Sequence, residues 1–319
     1  MDHGAEVVRF YEDLSEEAGR LDQRAGLLER LRTQDIIGRD LSMRSSAKLA
    51  IADVGGGPGV YAQWLARLGH HVALIDPVKR HVEQAARLDA GAGSIQSRLG
   101  DARSLDLESG SVDVVLLLGP LYHLLAEDER LSALAEAFRV LRPGGVLFAT
   151  AISRFASLHD GLAQGFLFEP EFADIVATDV VKGTHTNPKR RPGWFTSAYF
   201  HRPDELVSEV LLAGFDDVSV FGLEGPAGWL PDLDERLASD TDRATILRLL
   251  AGVECEPSLL GSSAHLLARA LRPEESRASG SDGGRGAAGI VRTREAPEFQ
   301  ANLRRIASED QELLDRLAT

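Results

Sequence analysis

Two acids, Asp53 and Asp76, each lie at the end of a short apolar run, and after Val54 the first is followed by Gly55, Gly56, Gly57, Pro58 and Gly59. Residues without a Cβ let the chain turn sharply and bring main-chain N–H groups against a ligand, just before a helix whose positive end faces the same place. Such a turn suits a nucleotide-like cofactor. No Lys-Ser or Lys-Thr pair follows the last glycine, so this is not the phosphate loop of a phosphoryl-transfer enzyme. Asp76 stands where a dinucleotide-binding protein hydrogen-bonds a ribose, so this acid alone does not choose between cofactors. Among the groups that could move a proton, His123 follows a third apolar run, and histidine is the residue type suited to a general base near neutral pH; packing in the turn after Pro120 is its other reading.

A second concentration of reactive types is Trp194-Phe195-Thr196-Ser197-Ala198-Tyr199-Phe200-His201, dense for a chain with three Trp and four Tyr in all. Aromatic faces there would bind a planar apolar substrate through Trp194 and Phe195, while Tyr199 and His201 are candidate catalytic groups; a lid packed on the sheet is the alternative. Tyr122, His185 and Glu224 complete the candidate substrate-binding set. His159 and His265 are assigned to structure.

The elements that must position these residues are read from hydrophobic spacing. Ile51–Val54 reads as a buried strand. Val60, Trp64, Leu65 and Leu68 recur at helical spacing until Gly69 stops the helix. His71–Asp76 gives a second strand, Leu99–Ala102 the end of a third, and Val112–Leu118 a nearly continuous apolar fourth, as expected for a strand covered on both faces. Leu131, Leu134, Ala135 and Phe138 mark a helical face that ends in Leu141-Arg142-Pro143-Gly144-Gly145-Val146-Leu147, a helix stop, turn and new strand. A helix over Pro203–Leu212, a strand over Val218–Leu223 and another over His265–Leu271 follow. The alternation predicts a doubly wound α/β fold with its ligand crevice outside the carboxyl ends of the strands.

The order Asp53-x-Gly55-x-Gly57-x-Gly59, followed by Asp76, Asp101-Ala102, Leu118-Gly119-Pro120-Leu121-Tyr122-His123 and Leu141-Arg142-Pro143-Gly144-Gly145, resembles the class I S-adenosylmethionine-dependent methyltransferases of bacterial small molecules. The resemblance spans residues 5–271 and is motif-specific over 48–150. It implies a Rossmann-like, seven-stranded, mostly parallel sheet and S-adenosyl-L-methionine as cofactor, with S-adenosyl-L-homocysteine as product. The cofactor residues it implies are Asp53, Gly55, Gly57, Gly59, Asp76 at the ribose, Asp101 and Ala102 at the adenine, and Leu118 and Gly119. Tyr11 and Arg20 would reach the methionine carboxylate, or else serve as ordinary helix residues. The methyl acceptor would meet the fourth strand's end, near His123. Methyl transfer is an in-line displacement in which positioning carries much of the rate. Gly-Pro-Leu-Tyr replaces the Asn/Asp-Pro-Pro-Tyr of many amino-group methyltransferases that act on nucleobases or glutamine. No Asp/Asp-Asn metal set like that of the catechol-type enzymes is present, so metal-independent transfer to a hydroxyl or amino group is expected, in a setting such as secondary metabolism. RNA or protein methylation, and a cofactor-binding scaffold for a non-methylating rearrangement, are the alternatives.

The expected domains are an N-terminal helical lid (1–45), a methyltransferase domain (46–272) with insertions at about 154–196 and 226–262, a Gly/Ser/Arg-rich linker (273–289) and a C-terminal helix (290–319). Net charge is −14, which disfavours an extended nucleic-acid surface, with Lys189-Arg190-Arg191 as a local basic exception. The single cysteine, Cys255, forbids an intramolecular disulfide or a multi-cysteine zinc site. No signal-like or membrane-spanning run is found. A cytoplasmic monomer or homodimer acting on a small molecule is therefore expected, with no nucleic-acid or membrane partner.

Overall fold

Each central strand is a short run of β-branched and aliphatic residues whose side chains alternate between two separate apolar layers. The computed structural model describes residues 8–12, 17–22, 24–44, 48–189, 191 and 193–274, and its compact unit ends at Pro273. Strands β1 (Ala50–Val54), β2 (His71–Asp76), β3 (Ser94–Leu99), β4 (Val112–Leu117) and β5 (Leu141–Ser153) lie in the order β3-β2-β1-β4-β5, all parallel. Ile51, Val114, Leu116, Val146 and Phe148 enter one core with Ile36, Ile37, Tyr61, Ala62 and Leu65. Ala52, Val54, Val115, Leu117, Leu147 and Ala149 enter the other, with Ala133, Leu134, Ala137, Leu206 and Val210. The period-2 alternation of a strand buried on both faces thus fixes which helices cover which face.

Helices α1 (Arg24–Met43) and α2 (Val60–Arg67) cover the first face, and α3 (Lys79–Ala85) follows β2. A four-residue turn, α4 (Pro120–His123), follows β4 and leads to α5 (Glu127–Val140) on the second face. The first turn of α5 carries Glu127, Asp128 and Glu129 and its last turn Arg139, matching the helix dipole at both ends. Between Val112 and Val114 the β4–β5 register shifts as Pro143, Gly144 and Gly145 pass, so the expected turn is taken up inside the start of β5.

The first insertion forms α6 (Ala156–Gln164), α7 (Pro170–Lys182), β6 (Thr184–His185) and β7 (Ala198–His201). The sheet is consequently nine-stranded, two strands more than expected. Ile152 pairs with Phe200 of β7 on one edge and His265 of β9 (His265–Leu271) on the other. β9 is antiparallel to β5 and to β8 (Asp216–Gly222), and β6 is antiparallel to β7, which leaves the sheet mostly parallel as expected. Between β7 and β8, helix α8 (Pro203–Leu212) begins with Pro203 and with Glu205 accepting from the Arg202 N–H, a good start signal for a helix. The second insertion is helical, with α9 (Leu233–Ala238), α10 (Asp240–Ala251) and α11 (Pro257–Leu260). Residues 275–319, with nearly all of the expected linker and the C-terminal helix, lie outside the described residues. Among the described residues no helix is long and apolar enough to cross a membrane.

Arg130 ties the segment after β4 to the rest of the fold. Its buried guanidinium donates to the Leu124 and Leu125 carbonyls at 3.0 and 2.9 Å and to Glu209 of α8 at 2.7 Å. Glu209 also takes a bond from His201 at 3.2 Å, and although burial works against its charge, His201 and Arg130 hold its carboxyl below the ordinary glutamate range. Removing Arg130 leaves a buried carboxylate and two carbonyls short of partners. Arg130→Ala should therefore cost about 3–5 kcal/mol of stability, read as a lower urea midpoint; an unchanged midpoint would mean that the network is incidental.

Candidate active site

Four strand ends meet at one crevice. β1 runs to β2 on one side, and the chain later returns to place β4 on the other, so the β1–β4 boundary is the point where the winding reverses and ligands bind. There a cavity of 620 Å³ is lined by Asp53 to Pro58 apart from Val54, Asp76 to Val78, Gly100 to Arg103 and Leu118 to Leu124 apart from Leu121. Its volume lies in the range of small-molecule sites. Val8, Arg9, Tyr11, Arg20 and Leu21 from the N-terminal segment complete the wall.

The glycine turn is held by its own backbone. The Gly55 N–H donates to the Ile75 carbonyl at 2.7 Å, and the Gly57 N–H donates to Asp76 Oδ2 at 2.9 Å. Asp76 Oδ1 accepts from Val78 N at 2.9 Å and contacts His81 Nδ1 at 3.2 Å. Gly55 has φ +69°, and a Cβ there would lie 2.6 Å from Pro120 Cγ, so the ends of β1 and β4 can approach only across a glycine.

Asp53 is fully buried, and no hydrogen bond of normal geometry reaches either carboxylate oxygen. Burial, followed by the negative charge of Asp76, pushes its pKa up to about 7, against a small opposing effect of the Ala62 amide. Asp101 differs: Arg103 donates to it through its side chain at 2.6 Å and through its backbone at 2.8 Å, holding the carboxyl below its usual range. At the β4 end, the Tyr11 hydroxyl and His123 Nε2 are 2.8 Å apart. The His123 ring stacks on Phe195 at 6.0 Å and meets Tyr122 edge-on at 4.6 Å.

Residues 52–149 match a family described as a methyltransferase domain. A ubiquinone biosynthesis O-methyltransferase of Methylocella silvestris is 32% identical over 198 residues, 61% of this chain and 67% of the relative. The enzyme of the same name from Ralstonia nicotianae is 28% identical over 187 residues, 57% of this chain and 70% of its own. The chain belongs to the class I S-adenosylmethionine-dependent methyltransferases. Its fold is shared with a Listeria monocytogenes protein provisionally named an S-adenosylmethionine-dependent methyltransferase, with a TM-score of 0.50 and 16% identity over 76% of this chain and 98% of that one.

S-adenosylmethionine is the cofactor of this methyltransferase, and the cavity has what such a molecule requires. A buried carboxylate without a donor can receive a cation. A glycine-walled turn admits close approach, and Ile75, Val78, Ala102 and Leu118 supply apolar surface beside it. Of the expected cofactor residues, Tyr11, Arg20, Asp53, Gly55, Gly57, Asp76, Asp101, Ala102, Leu118 and Gly119 line the cavity. Gly59 does not: it precedes α2 with φ +94°, where a Cβ would strike Leu88 at 2.6 Å.

The methyltransferase brings His123 and Tyr122 to the cavity but not the other acceptor-side residues expected from sequence. His201 is buried against Glu209, and the Tyr199 ring lies under the Arg130 guanidinium at 3.8 Å. His185 is buried against Asp179 at 2.7 Å, and Trp194 packs on Phe172 at 4.9 Å. Glu224 is buried with the Ser263 hydroxyl at 2.7 Å and His265 Nδ1 at 2.5 Å. Phe195 sits behind His123 rather than on the wall. Each of these groups is engaged by a neighbour inside the fold rather than turned to the cavity, although His185 Nε2, His201 Nδ1 and Asp179 Oδ1 stay buried without a hydrogen bond; aromatic density was a signal for packing.

Arg9, Tyr61, His81 and Pro120 line the cavity unforeseen. Three of them had a usable signal, since Tyr61, His81 and Pro120 each follow closely on a strand end. Glu29, Glu224 and His265 bring ligand atoms within 4.8 Å of one another, and Arg20 donates to Glu29 at 2.7 and 3.3 Å. Burial opposes charge on His265, but Glu29 and Glu224 outweigh it and raise the imidazole to about 9. The result is a row of alternating charge leading to Arg20 on the cavity wall.

Gly57 has φ +55°, a conformation that strains a β-branched residue by about 1–3 kcal/mol. Gly57→Val should weaken S-adenosylhomocysteine binding by roughly 10–100-fold with the far-ultraviolet spectrum retained. Calorimetry showing native affinity would remove the turn from the binding site.

Proposed function

We propose that this methyltransferase methylates a hydroxyl oxygen of a small apolar molecule, with His123 as general base. The observation that carries the reading is the His123 Nε2–Tyr11 hydroxyl pair, 2.8 Å apart on the wall of the cavity. It is flanked by apolar or aromatic Val8, Pro120, Tyr122 and Leu124. The relatives named as O-methyltransferases of ubiquinone biosynthesis support oxygen as the acceptor atom, and the apolar and aromatic wall beside His123 suits an aromatic ring that bears the hydroxyl.

When bound, S-adenosylmethionine supplies an electrophilic methyl group on a positively charged sulfur. Asp76 and the turn from Gly55 to Pro58 would hold the ribose side, and Asp101 and Ala102 the adenine. Arg20 would hold the carboxylate of the amino-acid end and Asp53 its ammonium. Tyr11 donates its O–H to the unprotonated Nε2 of His123 and fixes the ring, which Phe195 supports from behind. As the acceptor oxygen is methylated, its proton would pass to the Tyr11 oxygen while Tyr11 gives its own to His123 Nε2, so that the imidazole finally carries it. The stretches that carry Val8, Arg9, Tyr11, Arg20 and Leu21 would cover the cavity as a lid, keeping water from the reacting atoms, and the insertion at 154–196 shapes the acceptor side through Phe195.

A base contributes about 10²–10⁴-fold to such a step. His123→Ala should lower kcat with a phenolic acceptor by ~100-fold or more, measured by transfer of labelled methyl, while affinity for S-adenosylhomocysteine stays native. Full turnover by the variant would assign His123 to packing. A panel in which an amine is methylated and the matching phenol is not would replace oxygen by nitrogen.

A further inference from the structure

A carboxylate in a buried site without hydrogen bonds is held in its neutral form until a cation arrives. Asp53 is fully buried, and among the described residues neither carboxylate oxygen has a hydrogen-bond partner of normal geometry, although the Ala62 amide acts on it as a donor. From β2, Asp76 faces it with like charge and is itself bonded to Gly57 N, Val78 N and His81. From α2 come the Tyr61 ring and the Ala62 amide, and from β4 the apolar Leu116 at the paired position. From the N-terminal segment, Arg20 reaches the same cavity wall, but Glu29 holds it in a two-point ion pair. Among the described residues Asp53 is thus left without a matched cation, inside a cavity sized for one small molecule.

We propose that Asp53 carries a proton in the cofactor-free enzyme and releases it to solvent when the cationic amino-acid end of S-adenosylmethionine or S-adenosylhomocysteine binds, so that cofactor binding is proton-linked. The ammonium keeps its own protons, and the carboxylic O–H of Asp53 is the bond that breaks. This rests on the reading that the cofactor's ammonium lies at Asp53. The neutral side chain also explains how the cofactor-free protein tolerates two acids, Asp53 and Asp76, at adjacent strand ends. In the complex the new ion pair offsets the burial that the carboxylate otherwise suffers.

The sign follows from burial. The free carboxyl titrates at about 7, and the ammonium lowers it on binding. Proton release should approach one per site near pH 6, about half near pH 7, and almost none near pH 8.5. Affinity should fall roughly tenfold per unit as pH drops below 7, and stay level above it.

The experiment is calorimetric titration of the full chain with S-adenosylhomocysteine at pH 6.0, 7.0 and 8.5, each in two buffers of different ionisation enthalpy. The same series is run with Asp53→Asn and with methylthioadenosine, which lacks the amino-acid end. The expected result is a buffer-dependent heat at pH 6.0 that disappears at pH 8.5, in Asp53→Asn and with methylthioadenosine. Cofactor-free Asp53→Asn should also melt higher than the wild type at pH 8.5, since it has no carboxyl to desolvate. Weaker binding by Asp53→Asn without any buffer-dependent heat in the wild type would overturn the proton linkage and leave Asp53 in the cofactor site. Native affinity in Asp53→Asn, with the same proton release, would overturn the placement of Asp53 itself. If the variant does not fold, a wild-type heat independent of buffer at pH 6.0 is enough to reject the proposal.

Discussion

The site depends on a close approach of backbone to backbone at the carboxyl ends of β1 and β4. Gly55 leaves no room for a Cβ against Pro120, and the Gly57 N–H reaches the Asp76 carboxylate across the end of β2. These contacts bring three strand ends within reach of one ligand. Each also costs something locally, because positive φ and bare backbone are stabilised only by their surroundings. Asp76 serves that purpose here: its two oxygens bind Gly57 N and Val78 N, so the residue that faces the ligand also fastens the turn that admits it.

Charge is distributed unevenly around this frame. Around the first insertion, Arg130, Glu209 and His201 form a buried set, and Arg154 donates to Glu205 and to the Phe200 and Val181 carbonyls. Arg32 likewise joins α1 to the second insertion through Glu254. Such pairs give little net stability over apolar packing, but losing one partner strands the other. They fix where the insertions sit. Asp53 is the contrasting case: it is fully buried beside Asp76, and among the described residues neither of its oxygens has a hydrogen-bond partner of normal geometry.

Packing and chemistry meet at the N-terminal segment. Tyr11 touches His123 from across the cavity, and Arg80 donates to the Tyr11 carbonyl at 2.5 Å. Arg20 is held through Glu29 to the His265 and Glu224 pair on the sheet side. Leu21, next to Arg20, is buried in the core on the first face, so this part of the cavity wall is fixed by apolar packing as well as by charge.

The sequence by itself determined the sheet core, the glycine turn and the acids at the strand ends. Those features are local: alternation sets strand faces, glycine sets the turn, and a residue that follows a strand must lie at the strand's end. Asp53, Asp76, Ala102 and His123 were legible for that reason. Tertiary structure alone decided the fate of residues whose surroundings come from distant segments. His185, Tyr199, His201 and Glu224 carry chemically capable groups, yet Asp179, Arg130, Glu209 and Ser263 engage them. Tyr11 met an imidazole 112 positions away. Whether a polar side chain is satisfied inside the fold or left for a ligand is settled by its three-dimensional neighbours, which no local pattern specifies.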